Sequence, residues 1–157
     1  MTAEDLPVVK RWLASPHVQE WWGEPEDEFG LVTGDLTEAA MDQYIVVKDN
    51  RPFAYLQCYD LTAWNSGFGP QPRGTRGIDQ FIGEPDMVDR GHGSAFIRTF
   101  TDGVLAAGTP RLVTDPDPVN ARAVRAYEKA GFHRDRMVDT PNGPALLMVR
   151  NAGMETP

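Results

Sequence analysis

Helical and strand-like apolar periods take turns along this chain, and that alternation commits it to a mixed α/β architecture. Leu6, Val9, Trp12 and Leu13 recur at helical spacing behind Thr2-Ala3-Glu4-Asp5, a cap with an acid three positions on. The spacing predicts an amphipathic helix over residues 3–14, with Pro7 in or near its first turn, where a missing N–H costs least. Tyr44–Val47 and Pro52–Tyr59 read as strands joined by the turn-rich Lys48-Asp49-Asn50-Arg51, which predicts an antiparallel hairpin. Gly77–Ile82 is a third strand, followed by the turn Gly83-Glu84-Pro85. Phe96, Ile97, Phe100, Val104 and Leu105 form the stripe of a helix over Ser94–Ala107, and Arg111–Thr114 is short and β-like. Asn120 opens a last helix through Ala130, closed by Gly131. Strands near Arg136–Asp139 and Ala145–Val149 flank the turn Pro141-Asn142-Gly143-Pro144. Residues 15–30, with Pro16, Gly23, Pro25 and Gly30 around Trp21-Trp22, read as loop, as do residues 62–76. A weak helix is expected from about Thr37 to Met41.

At 157 residues the chain fits a single domain, 1–157. Its net charge of −8 argues against nucleic acid, because phosphate binding needs a basic footprint. The same charge suits either a cationic small-molecule partner or plain solubility. The one cysteine, Cys58, cannot form an internal disulfide and fits a strand core. His17, His92 and His133 show no metal-ligand spacing, so no metal site is expected. No apolar run approaches the roughly 20 residues of a membrane span, and the start lacks a signal-peptide pattern. A cytoplasmic protein without a membrane partner, monomeric or homodimeric, is the expectation.

A strand, then Arg90-Gly91-His92-Gly93-Ser94, then a helix can converge backbone N–H groups on an anion. Alone, such a junction is more often punctuation than a site. It lacks the Gly-Lys-Ser/Thr of a Walker loop and the third glycine of a dinucleotide fingerprint. Downstream, Asn120-Ala121-Arg122-Ala123-Val124-Arg125-Ala126-Tyr127-Glu128-Lys129-Ala130-Gly131-Phe132 resembles the GNAT motif Asn-x-x-Ala-x-x-x-Tyr-x-x-x-Gly-Phe at every fixed position. Loop and motif together span about residues 77–132. Glu20-Trp21-Trp22-Gly23, Arg76-Gly77-Ile78-Asp79-Gln80, Thr114-Asp115-Pro116-Asp117-Pro118-Val119-Asn120 and Thr140-Pro141-Asn142-Gly143-Pro144-Ala145 are similar to aminoglycoside 6′-N-acetyltransferases. Siderophore-type lysine N-acetyltransferases share part of this pattern, notably a tryptophan in the early loop.

The resemblance implies a GNAT fold: a central, mixed, mostly antiparallel sheet with helices on both faces. The strand that usually precedes the first helix has no counterpart here; either it is absent or the true start lies upstream of Met1. Val88 stands where many members carry Gln or Arg, and Arg90 is the nearby positive charge. The implied co-substrate is acetyl-CoA. Its pyrophosphate would sit on Arg90, Gly91, His92, Gly93 and Ser94, with Asn120 and Ala123 also on the cofactor. Backbone N–H groups near Phe81, Ile82 and Gly83 would polarise the thioester carbonyl.

Acetyl transfer needs an amine freed of its proton, a polarised thioester and a protonated leaving thiolate. By resemblance Asp79 is the general base and Tyr127 the acid at the CoA sulfur. The plain readings are a solvated strand residue and a half-buried helix aromatic. Asp115 and Asp117 suit a polycation or cap the following helix, and Trp22 either packs on an amine-bearing ring or lines its own loop. The implied reaction acetylates a cationic small molecule, foremost the 6′-amine of an aminoglycoside. A hydroxylysine-type precursor, a polyamine, or a non-catalytic acetyl-CoA-binding module are the alternatives. No acid lies between Asp60 and Asp79, which thins a polycation pocket there.

Overall fold

The computed structural model describes residues 1–65 and 67–154. Thr2 and Asp5 form the anticipated cap: the Thr2 hydroxyl accepts from the Glu4 amide at 3.3 Å, and the Asp5 carboxylate accepts from the Thr2 amide at 2.8 Å. A single 3-10 turn, Ala3–Asp5, feeds helix α1, Leu6–Leu13, and is the first element among the described residues. Pro7 stands in the opening turn of α1, where its missing N–H breaks no hydrogen bond.

Residues 15–30 are not a loop. They form α2, Pro16–Trp22, and the first half of α3, Pro25–Asp35. Both prolines are helix starters: each follows a residue with extended backbone, Ser15 at ψ 135° and Glu24 at ψ 119°, as a residue before proline must be. Gly23, at φ 107°, separates the two helices. The short helix expected from Thr37 is absent, since strand β1, Met41–Lys48, begins where it would end. Four or five good helix formers cannot offset the cost of nucleation without an apolar face.

β2, Arg51–Asp60, follows β1 after the two residues Asp49 and Asn50, both at positive φ, which is the primed turn of an antiparallel hairpin. The remaining elements are β3 (Arg76–Ile82), α4 (His92–Ala106), β4 (Arg111–Thr114), α5 (Ala121–Lys129), β5 (His133–Thr140) and β6 (Gly143–Asn151). The six strands run in the order β1-β2-β3-β4-β6-β5. β3 pairs parallel with β4, Gly77 facing Val113, while β4–β6 and β6–β5 pair antiparallel.

The contacts group the chain into two compact units. One holds Met1–Cys58 with Asp79–Val88; the other holds Tyr59–Ile78 with the chain from Asp89 on. In the first, Val9, Trp12, Leu13, Val18, Val32, Tyr55 and Phe81 form the core. Gly83 is required there: a Cβ would lie 2.1 Å from the ring of Trp12, which is fully buried. In the second, Leu112, Val113, Leu147, Met148 and Val149 are buried along β4 and β6, and Val124 and Tyr127 face inward from α5. Cys58 is buried in β2, as its strand setting suggests.

Candidate active site

The first unit carries Asp79 on β3. Its Oδ2 accepts a hydrogen bond from Gln57 Nε2 at 2.9 Å. Gln57 Oε1 accepts from the Tyr55 hydroxyl at 2.9 Å, and Tyr55 accepts from Gln43 Nε2 at 2.9 Å. Gln43 Nε2 also donates to the Val32 carbonyl at 2.9 Å. Tyr55 and Gln57 are two residues apart on β2 and so share one face of the sheet. Burial raises the Asp79 carboxyl above its ordinary range, against the Gln57 hydrogen bond, which lowers it. Glu28, on α3, is also raised, first by burial and then by the charges of Asp79 and Asp27. A half-buried, acidic corner of this kind is relieved by a cation.

Aromatic rings wall this corner. Trp22 meets Phe81 edge-on at 4.9 Å and Tyr55 edge-on at 6.0 Å. Phe81 stacks on Tyr55 at 5.3 Å and meets Trp12 edge-on at 6.2 Å. Trp22 is thus the half-buried outer member of a packed cluster, while Trp21 is exposed on α2. Next along β3, the Ile82 carbonyl lies 2.8 Å from His17 Nε2, which must carry the proton because a carbonyl only accepts. The Gly83 N–H donates to the Phe53 carbonyl at 2.8 Å. That amide is therefore engaged within the unit.

The second unit carries the glycine loop. Gly91 is the N-cap of α4 at φ 80° and ψ 0°, a left-handed conformation that glycine adopts without strain. His92, Gly93 and Ser94 make the first turn of a 15-residue helix, and the Ser94 hydroxyl donates back to the Gly91 carbonyl at 3.3 Å. First-turn amides have no acceptor one helical turn back, so they and the helix dipole favour an anion. Arg90 is exposed beside them, and Arg122 pairs with Asp89 at 2.9 Å.

Asn120 is the N-cap of α5, its Oδ1 accepting from the Ala123 amide at 3.2 Å. Asn120, Ala123 and Tyr127 follow at i, i+3 and i+7 and so share one face of that helix. Tyr127 is 4% exposed, with its ring edge-on to Phe132 at 5.5 Å. Asp117 folds the loop before α5: its carboxylate accepts from the Val119 amide at 3.0 Å and its carbonyl from the Asn120 amide at 2.9 Å. Asp117 thus closes a turn of the loop, while the helix itself is capped by Asn120. Asp115, two residues back, is half-buried.

The structure thus gathers Trp22, Asp79, Phe81, Ile82 and Gly83 in one unit, and Arg90–Ser94, Asp115, Asp117, Asn120, Ala123 and Tyr127 in the other. Sequence reasoning missed Gln43, Tyr55, Gln57 and Glu28. Glu28 was hidden by taking Pro25 for a breaker; Tyr55 and Gln57 carried only a two-residue spacing on a strand. Among the described residues no group of His, Cys, Asp or Glu could hold a metal ion, and no helix is long and apolar enough to cross a membrane.

Residues 1–140 match the family described as acetyltransferase (GNAT) domain. The aminoglycoside N(6′)-acetyltransferase type 1 of Klebsiella pneumoniae is 34% identical over 162 residues, covering 96% of this chain and 80% of that protein. The solved structure of AAC(6′)-Ib in complex with paromomycin and acetyl-CoA superposes with a TM-score of 0.87 at 33% identity, covering 96% of this chain and 90% of the other. The aminoglycoside acetyltransferase AAC(6′)-Ib with coenzyme A and kanamycin gives 0.86 at 32% identity, covering 96% and 91%.

Proposed function

The chain belongs to the acetyltransferase (GNAT) family, and from that membership we propose that it moves the acetyl group of acetyl-CoA onto the 6′-amine of an aminoglycoside. The observation that carries the choice of acceptor is the acidic corner of Asp79 and Glu28 behind the Trp22–Phe81–Tyr55 rings. Two carboxylates and an aromatic wall are what an amine-bearing sugar ring calls for. The similarity to aminoglycoside enzymes over 96% of the chain supports the same acceptor.

In this reading Asp79 takes a proton from the substrate ammonium, directly or through a water. The freed nitrogen attacks the acetyl carbonyl, the C–N bond forms, the nitrogen sheds its second proton to water and the C–S bond breaks. Tyr127 then protonates the departing thiolate. A base whose pKa is lifted above the usual carboxylate range is better matched to neutral pH. Phe81, Ile82 and Gly83 line the acetyl group, the amides from Arg90 to Ser94 hold the pyrophosphate, and Asn120 and Ala123 flank the pantetheine arm. Trp22, Asp115 and Asp117 contact the acceptor. Much of the rate gain comes from holding amine and thioester together. A cytoplasmic site of action fits this co-substrate.

The test is release of free thiol from acetyl-CoA with kanamycin or tobramycin as acceptor. Turnover is expected with both, and no turnover with any aminoglycoside overturns the reading. A second reading, a less highly charged amine such as a polyamine or a hydroxylysine-type precursor, is favoured by the acid-free stretch between Asp60 and Asp79. An amine panel run side by side separates the two by kcat/KM.

A further inference from the structure

We propose that Gln57 is the positioning residue of this site: its carboxamide, held one way round by Tyr55 and Gln43, fixes Oδ2 of Asp79 and leaves Oδ1 for the amine. The proposal rests on the reading of Asp79 as the base.

A carboxamide's two ends are nearly the same size, so shape does not choose between its two orientations. Donors and acceptors do. The Val32 carbonyl can only accept, so it must face the amide nitrogen of Gln43. That nitrogen's other hydrogen goes to the Tyr55 oxygen. Tyr55 therefore directs its single hydrogen to Gln57 Oε1, and Gln57 is left to present Nε2 to Asp79. Reversing Gln57 would set its carbonyl oxygen against a carboxylate and its N–H against a hydroxyl already donating. The direction is thus set at the far end of the line, by a backbone group that cannot be mutated.

Packing holds the line in place. Tyr55 is fully buried, stacked on Phe81 and edge-on to Trp22, and Gln43 is buried beside it. Oδ1 of Asp79 makes no hydrogen bond among the described residues, so only one carboxylate oxygen is held. Among the described residues, the charges that act on this line come from acids: Glu28 on α3 acts on Asp79 and Tyr55, and Asp35 acts on Tyr55. Among the described residues, the Gln57 N–H is the group that favours the ionised form of Asp79, against its burial. Gln57 therefore does two things: it aims the carboxylate, and it keeps the carboxylate charged until the ammonium arrives.

The experiment is an NMR titration of the Asp79 side-chain carboxyl carbon in the wild-type protein, Gln57→Leu, Gln57→Glu and Tyr55→Phe, with pH profiles of kcat/KM alongside. Gln57→Leu removes the donor at similar volume. The Asp79 midpoint is expected to rise by about one pH unit, and the acid limb of kcat/KM to follow it. Gln57→Glu, alike in shape but of the wrong charge, raises it further. Tyr55→Phe leaves Gln57 present but unaimed and gives a smaller rise. KM for acetyl-CoA stays unchanged in all three. If Gln57→Leu does not fold, Tyr55→Phe carries the test. Unchanged Asp79 midpoints in the folded variants overturn the proposal, since a merely structural glutamine would lower the melting temperature without moving a titration. The NMR readout needs no turnover. Full activity in Asp79→Asn would therefore remove the base reading while leaving the effect of Gln57 on Asp79 measurable.

Discussion

Among the described residues Asp79 is held by one hydrogen bond, in a site whose burial disfavours its charge, and this has opposite consequences for activity and for stability. Its folded-state pKa lies above the ordinary 3.8. Between those two values the folded protein binds more protons than the unfolded chain, so stability falls as pH rises through that window and stays lowered above it. Asp79→Asn removes the charge and keeps an oxygen that can accept from Gln57. It is expected to melt at a higher temperature than the wild type at pH 7, with the gap closing below about pH 4, while kcat drops by roughly 10²–10⁴-fold. Thermal melts at pH 3.5 and 7, beside thiol-release assays, check both halves; a lower melting temperature at pH 7 would contradict the electrostatic account. Tyr127→Phe is expected to lower kcat by about 10²-fold with little change in KM for acetyl-CoA. Because Tyr127 is buried against Phe132, a ring of the same shape keeps the packing intact, and a loss of activity reads on the hydroxyl alone.

Among the elements, α1 is tied to the turn after β3 through Glu84. Its Oε1 accepts from Arg11 at 2.6 Å and from the Trp12 indole at 3.0 Å, and its Oε2 lies 3.4 Å from Arg51. These hydrogen bonds hold the Glu84 carboxyl below its usual range, Arg11 first and Trp12 next. The sign is opposite to that of Asp79: Glu84 contributes stability at neutral pH and loses it as pH falls below about 4.5. Glu84→Ala strands the buried indole N–H, and a loss of about 1–3 kcal/mol is expected in urea unfolding at pH 7. Arg11 and Arg51 can turn to water, so the full penalty of a broken buried ion pair does not arise. Gly83→Ala, one residue earlier, drives a methyl into the Trp12 ring and costs about 1–3 kcal/mol or more. Gly91→Ala meets no atom within 4 Å and suffers only backbone strain, about 1–2 kcal/mol.

The same elements show what a sequence exposes. α4, β4 and α5 stand where their apolar stripes and caps put them, because Gly91, Asn120 and Gly131 act locally. α2 was concealed because Pro16 both ends and begins helices, and only the extended Ser15 before it distinguishes the two. Motif resemblance singled out Asp79 and Tyr127 as candidates. Gln57, Gln43 and Glu28 were not, since their roles depend on which strands and helices become neighbours, and no local pattern encodes that.

For the whole molecule, the −8 net charge forms a diffuse negative field that attracts polycations. At 0.15 M salt that field is screened within about 8 Å. Raising salt from 0.05 to 0.5 M is expected to lower kcat/KM for an aminoglycoside several-fold, while KM for the anionic acetyl-CoA does not rise. Initial rates across that series check it, and an acceptor KM indifferent to salt would confine the attraction to short-range contacts. The line from Val32 through Gln43, Tyr55 and Gln57 to Asp79 joins residues far apart in the chain, drawn from α3, β1, β2 and β3. It cannot exist while those elements are only partly assembled. During refolding, helical signal should therefore return before catalysis does, because local turns close sooner than long-range pairings. A molecule that turns over is one that has already completed its fold, so half-formed chains do not squander thioester.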